Sequence, residues 1–71
     1  MDTLIEEIKS LRLRNQLTQQ ELSELSGIPF ATINRLENGK ANPTLKTLEK
    51  LLSVFGYELR IVRSQTVPHE V

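Results

Sequence analysis

The chain has no cysteine, so neither a disulfide nor a thiolate metal site can staple it. That absence matters at 71 residues, a length that allows one domain with a modest core. Oligomerisation is the usual remedy that remains. No apolar run approaches the roughly 20 residues of a membrane span. The opening stretch MDTLIEEIKS is acidic and lacks the basic start and apolar middle of a secretory signal, so the expected address is the cytoplasm. The single histidine, His69, stands apart from the converging groups that catalysis or metal binding needs. Serines and threonines occur throughout without an accompanying base. No enzyme chemistry, cofactor or metal site is expected.

Net charge is missing too. Nine Lys/Arg balance nine Asp/Glu, whereas a nucleic-acid binder usually carries a strongly basic balance. The charges are unevenly placed, however. Asp2, Glu6 and Glu7 are followed by Lys9, Arg12 and Arg14. Over residues 27–46 the charges are Arg35, Glu37, Lys40 and Lys46, a local surplus of two positive. A neutral total can hide a polarised surface.

What is present is helical periodicity. Leu4, Ile5, Ile8 and Leu11 predict an amphipathic helix over about residues 2–14, capped by Asp2 or Thr3, with Glu6 completing a capping box with Thr3. Asn15 and Gln16 make a polar link. Thr18-Gln19-Gln20-Glu21 fits the capping box of a second helix, with Leu22 and Leu25 facing inward and Gly27 stopping it. Pro29 suits the first position of a third helix, on which Ile33 and Leu36 point inward. Asn38-Gly39 ends it. Thr44 caps a fourth helix with the stripe Leu45, Leu48, Leu51, Leu52 and Phe55, closed by Gly56. Then the period changes. Residues 57–63, YELRIVR, alternate and predict the chain's one strand. A lone strand leaves unpaired backbone groups and needs a partner.

Two short helices joined by a glycine turn are the helix-turn-helix pattern, in which the second helix lies in the DNA major groove. The third helix has the division of faces that such a probe needs. Ile33 and Leu36 anchor it, while Phe30, Ala31, Thr32, Asn34 and Arg35 are free to point outward and are the expected base contacts. Arg35 suits a guanine edge, and Ala31 and the Thr32 methyl suit a thymine methyl. Lys46 and Lys50 read as the solvated face of the fourth helix, and Arg14 as either solvated or a phosphate contact.

Residues 17–48, LTQQELSELSGIPFATINRLENGKANPTLKTL, resemble the Cro/cI-type (XRE-like) helix-turn-helix family. The likeness lies in Thr18-Gln19, Gly27, Ala31-Thr32-Ile33, the run Leu36 to Lys40, and Pro43-Thr44-Leu45. It implies that Gln19, Asn38 and Lys40 hold DNA phosphates and that Phe30, Ala31, Thr32 and Arg35 face bases. It also implies a largely buried salt bridge between Arg12 and Glu37. Two positions depart from the family pattern. Phe30 replaces a polar residue, and Pro29 replaces the usual capping Ser or Thr.

The strand narrows the resemblance. A helix-turn-helix followed by one strand, here FGYELRIV, is similar to HipB-type antitoxins, in which two chains pair their strands. The implied architecture is mainly α: a lambda-repressor-like domain of four helices over residues 1–56, a dimerisation strand over 57–63 carrying Tyr57, Leu59 and Ile61, and a disordered tail over 64–71. An antiparallel register centred on Leu59 sets Glu58 opposite Arg60 of the other chain, whereas centring on Arg60 opposes two arginines. The implied function is that of a homodimeric transcriptional repressor. It binds an inverted-repeat operator and pairs, as an antitoxin, with a HipA-like kinase toxin. Two alternatives stand beside it: a stand-alone phage-type or restriction-modification regulator, and a protein-interaction module that has lost DNA binding.

Overall fold

Four helices account for the regular structure of residues 3–63, the part of the chain that the computed structural model describes. They are α1 (Thr3–Arg14), α2 (Gln19–Ser26), α3 (Phe30–Glu37) and α4 (Leu45–Ser53). Each contributes a narrow apolar edge to one core. α1 buries Ile5 and Ile8, α2 buries Leu22, α3 buries Ile33 and Leu36, and α4 buries Leu48, Leu51 and Leu52, one helical turn apart. Ile28, in the turn before α3, joins them. At eight residues, α2 and α3 are shorter than the roughly 12–15 an isolated helix needs. Packing therefore holds them: α2 lies against both α3 and α4, and α1 against α3. Leu22 is wholly buried, and its truncation in Leu22→Ala costs about 2–5 kcal/mol.

Local chemistry sets the helix ends. The Thr18 hydroxyl accepts from the Glu21 amide at 3.0 Å, and the Glu21 carboxylate accepts from the Thr18 amide at 2.8 Å. This is the reciprocal capping box expected from the sequence. Gly27 ends α2 in the left-handed region at φ 78°, its amide donating to the Ser23 carbonyl at 2.9 Å. Two serines fasten the turn that follows: Ser23 Oγ donates to the Ile28 carbonyl, and Ser26 Oγ accepts from the Ile28 amide. Thr44 caps α4 by accepting from the Thr47 amide at 3.1 Å.

The structure departs from the sequence reading at several points. Leu25 and Leu45, expected inward, are 63% and 73% exposed. Leu25 sits three residues after Leu22, which turns it about 60° away from the buried direction. Leu45 opens α4 one residue after the cap, ahead of the buried stripe. Pro29 is the N-cap and not the first helical residue. Its carbonyl accepts from the Thr32 and Ile33 amides, and no side chain caps α3. α4 stops at Ser53 in a turn, although Phe55 still packs against the core. The polar link after α1 has its own conformation: Gln16 is left-handed at φ 58°, which lets the Leu17 amide reach the Arg12 carbonyl.

Residues 57–63 form no strand, and among the described residues there is no strand at all. A strand exists only through ladder hydrogen bonds to another, and a single chain with one such segment offers none. Leu59 packs against its own core, while Tyr57, Ile61 and Val62 are exposed. Glu58 and Arg60, expected to meet across two chains, approach each other within one chain at 3.7 Å, both largely exposed. The cap of α1 by Asp2, the tail 64–71 and His69 lie outside the described residues.

Candidate nucleic-acid interface

The helix period sorts α3 into two faces. At about 100° per residue, Phe30, Asn34, Ala31 and Arg35 fall within one arc of about 140°, Leu36 and Ile33 fall on the opposite side, and Glu37 falls at the edge next to Phe30. Burial follows this division: Ile33, Leu36 and Glu37 are buried, while Phe30, Ala31 and Arg35 are exposed. Thr32, between the two faces, and Asn34, within the outward arc, are half-buried. Phe30 keeps 45% of its surface exposed, a large apolar side chain at the start of the outward arc.

A polar network runs beneath this surface. Arg12 on α1 grips the Glu37 carboxylate with two donors, Nε at 2.8 Å and Nη2 at 2.9 Å. Its Nη1 donates to the Leu17 carbonyl at 2.7 Å, so one guanidinium ties α1, the α1–α2 link and the end of α3 together. Both residues of the pair are buried. Its charges are compensated and its hydrogen bonds are made, and among the described residues no buried side-chain N or O atom lacks a partner.

Gln19 extends the network to the surface. Its Nε2 donates to Glu37 Oε1 at 2.9 Å, and its Oε1 accepts from Asn34 Nδ2 at 3.0 Å. Asn34 Oδ1 in turn accepts from Asn38 Nδ2 at 3.2 Å. The first residue of α2 therefore sits alongside the outward arc of α3, and both adjoin the loop after α3. In that loop the backbone amides of Asn38, Gly39 and Lys40 all donate to carbonyls of α3. The loop's free cation is the Lys40 side chain, exposed and without an ion pair among the described residues, as is the guanidinium of Arg35. Arg14 lines an open groove with Gly39 and Asn42, which puts it beside the same loop.

Of the residues singled out in the sequence, Gln19, Asn34 and Asn38 are joined by side-chain hydrogen bonds, Phe30, Ala31 and Arg35 are exposed on the same helix as Asn34, Thr32 is half-buried, and Lys40 is exposed in the loop that follows. Tyr57, Leu59 and Ile61 lie in the segment after α4. The internal engagement of Gln19 and Asn34 has no signature in the sequence, because it depends on where α2 meets α3. Among the described residues no cluster of His, Cys, Asp and Glu is arranged to hold a metal, and no helix is long and apolar enough to cross a membrane.

Comparison with known proteins agrees with this geometry. A family model described as helix-turn-helix matches residues 8–62. An uncharacterized HTH-type transcriptional regulator of Haemophilus influenzae is 42% identical over 59 residues, covering 83% of this chain and 60% of that protein. The HTH-type transcriptional regulator PuuR of Escherichia coli is 36% identical over 52 residues, 73% of this chain and 28% of PuuR. Repressor protein C of Escherichia phage P2 is 27% identical over 70 residues, 94% of this chain and 71% of the repressor. The chain therefore spans less than two thirds of the first two relatives. No solved structure matches it.

Proposed function

From the chain's membership of the helix-turn-helix family, we propose that it is a sequence-specific DNA-binding transcriptional repressor that acts as a homodimer. The observation that carries this reading is the exposed arc of α3 beside the α2 N-terminus and the Lys40 loop. Phe30, Ala31, Thr32 and Arg35 face base edges, with Arg35 donating bidentately to a guanine. Gln19, Asn38 and Lys40 hold phosphates on either side of the groove, and Arg14 adds a further cation beside the loop. Phe30 supplies apolar contact to thymine methyls where a polar side chain would hydrogen-bond. The similarity to regulators and to a phage repressor supports the same assignment.

Dimerisation belongs to this reading because one small reading head covers only a half-site. Residues 57–63, with Tyr57, Ile61 and Val62 exposed, are the segment through which two copies pair as strands. The antitoxin role, with a HipA-like kinase as partner, is the finer reading, supported by the sequence of that segment alone. The stand-alone regulator is favoured by the similarity to a phage repressor along 94% of the chain. Both bind DNA in the same way.

Selection from a random duplex pool tests the proposal. An enriched inverted repeat with half-site centres about 34 Å apart is expected. A pool that emerges without a common sequence refutes it.

A further inference from the structure

Resting on the DNA-binding reading above, we infer that Asn34 is a positioning residue: with Glu37 it clamps the side-chain amide of Gln19 from both ends and aims its one remaining N–H at a phosphate. The buried ion pair sets the first orientation. A carboxylate only accepts hydrogen bonds, so the end of Gln19 that meets Glu37 must be its NH2 group. The far end is then Oε1, which requires a donor. Asn34 Nδ2 supplies it at 3.0 Å. Asn34 Oδ1 must consequently face away from Gln19, where Asn38 Nδ2 donates to it at 3.2 Å. Each amide orientation dictates the next, and Arg12 fixes the origin by holding Glu37 with two donors.

This ordering settles what each side chain has left. Gln19 Nε2 carries two protons, and one is taken up by Glu37. The other belongs to a residue at the first position of α2, where phosphates approach. Asn34 spends one Nδ2 proton on Gln19 and one Oδ1 lone pair on Asn38. Those two bonds fix the plane of its amide along the Gln19–Asn38 direction. Asn34 therefore acts on the outward arc by holding Gln19 in place. Phe30, one helical turn before Asn34, offers no polar atom to hold Gln19 in its place.

The test is a double-mutant cycle on the selected operator with Gln19→Ala, Asn34→Leu and the combined variant, alongside single-base-pair variants of the operator. Asn34→Leu keeps the volume and removes both polar atoms. Asn34→Leu is expected to weaken binding to every duplex by the same factor, about tenfold for one charge-assisted contact. Gln19→Ala is expected to lose about as much, and the combined variant no more than Gln19→Ala alone. Relaxed discrimination at one base pair, multiplied losses, or no loss on Asn34→Leu overturns the inference. Asn34→Ala serves if the leucine variant fails to fold.

A second readout needs no DNA. In the wild-type protein the Gln19 side-chain amide protons are expected to be displaced from free-amide NMR shifts and protected from solvent exchange, reverting toward free-amide values in Asn34→Leu. Free-amide shifts and unprotected exchange in the wild type refute the clamp. Displaced, protected protons in a protein that binds no duplex would refute the DNA-binding reading and leave the clamp standing.

Discussion

Arg12 and Glu37 stand 25 residues apart in sequence and 2.8 Å apart in space, both buried, at the junction of α1 with the end of α3. The pair fixes the floor on which the outward face of α3 is presented. Glu37 lies one position after Leu36, so the core and the network hold the same helix end from two directions.

Removing one partner leaves the other as an uncompensated buried charge. Arg12→Ala should therefore destabilise the domain by about 3–5 kcal/mol, a large part of what a domain this small possesses. Replacing both, Arg12→Met with Glu37→Leu, should recover most of the loss. Urea unfolding followed by circular dichroism measures both variants. A loss below about 1 kcal/mol for Arg12→Ala would show that water reaches the pair.

Gln16 and Gly27 share a left-handed backbone, one with a side chain and one without. Gln16→Gly should raise stability by about 0.5–1 kcal/mol, since the strain at φ 58° exceeds the entropy that glycine adds to the unfolded chain. Gly27→Ala should lower it by about 1–2 kcal/mol through the backbone alone, because an added Cβ meets nothing within 4 Å. Thermal unfolding of the two variants should move in opposite directions. Movement in the same direction would contradict the conformational argument.

Arg35 and Lys40 are both exposed and unpaired among the described residues, yet their expected signatures differ. Arg35→Ala should cost roughly 1–3 kcal/mol on the operator and relax preference at one base pair. Lys40→Ala should weaken all duplexes alike and flatten the salt dependence by about one contact. Competition gel shifts against base-pair variants separate the two. Exchanged signatures would mean that reader and clamp are interchanged.

Ile61 is fully exposed in the single chain, whereas Leu59 packs against its own core. Ile61→Asp is therefore the cleaner test of strand pairing, since it leaves the fold of each copy intact. Sedimentation should change from dimer to monomer, with the helical circular dichroism unchanged. A dimer that persists places the interface elsewhere.

What the sequence made legible was what depends on near neighbours. The Thr18–Glu21 capping box, the Gly27 stop and the Thr44 cap involve residues within three or four positions of each other, and each formed where expected. The division of α3 into buried and exposed faces was equally readable from its period. Exposure of Leu25 and Leu45 was not, because it depends on how far each short helix turns before meeting a neighbour. The role of Asn34 was hidden for the same reason. Its spacing puts it among the outward residues, and only the placement of Gln19 beside it shows that both its polar atoms bond within the chain. The segment 57–63 has the alternation of a strand, but alternation without a partner chain produces no ladder.

In the proposed function, a symmetric pair of α3 faces grips one duplex through a small set of phosphate contacts. A gel-shift salt series on the selected operator measures this directly. For a dimer neutralising roughly 4 to 6 phosphates, the logarithm of the binding constant should fall with the logarithm of salt at a slope near −4 to −5. A slope near zero, or binding at low salt that does not distinguish the operator from unrelated duplex, would contradict it.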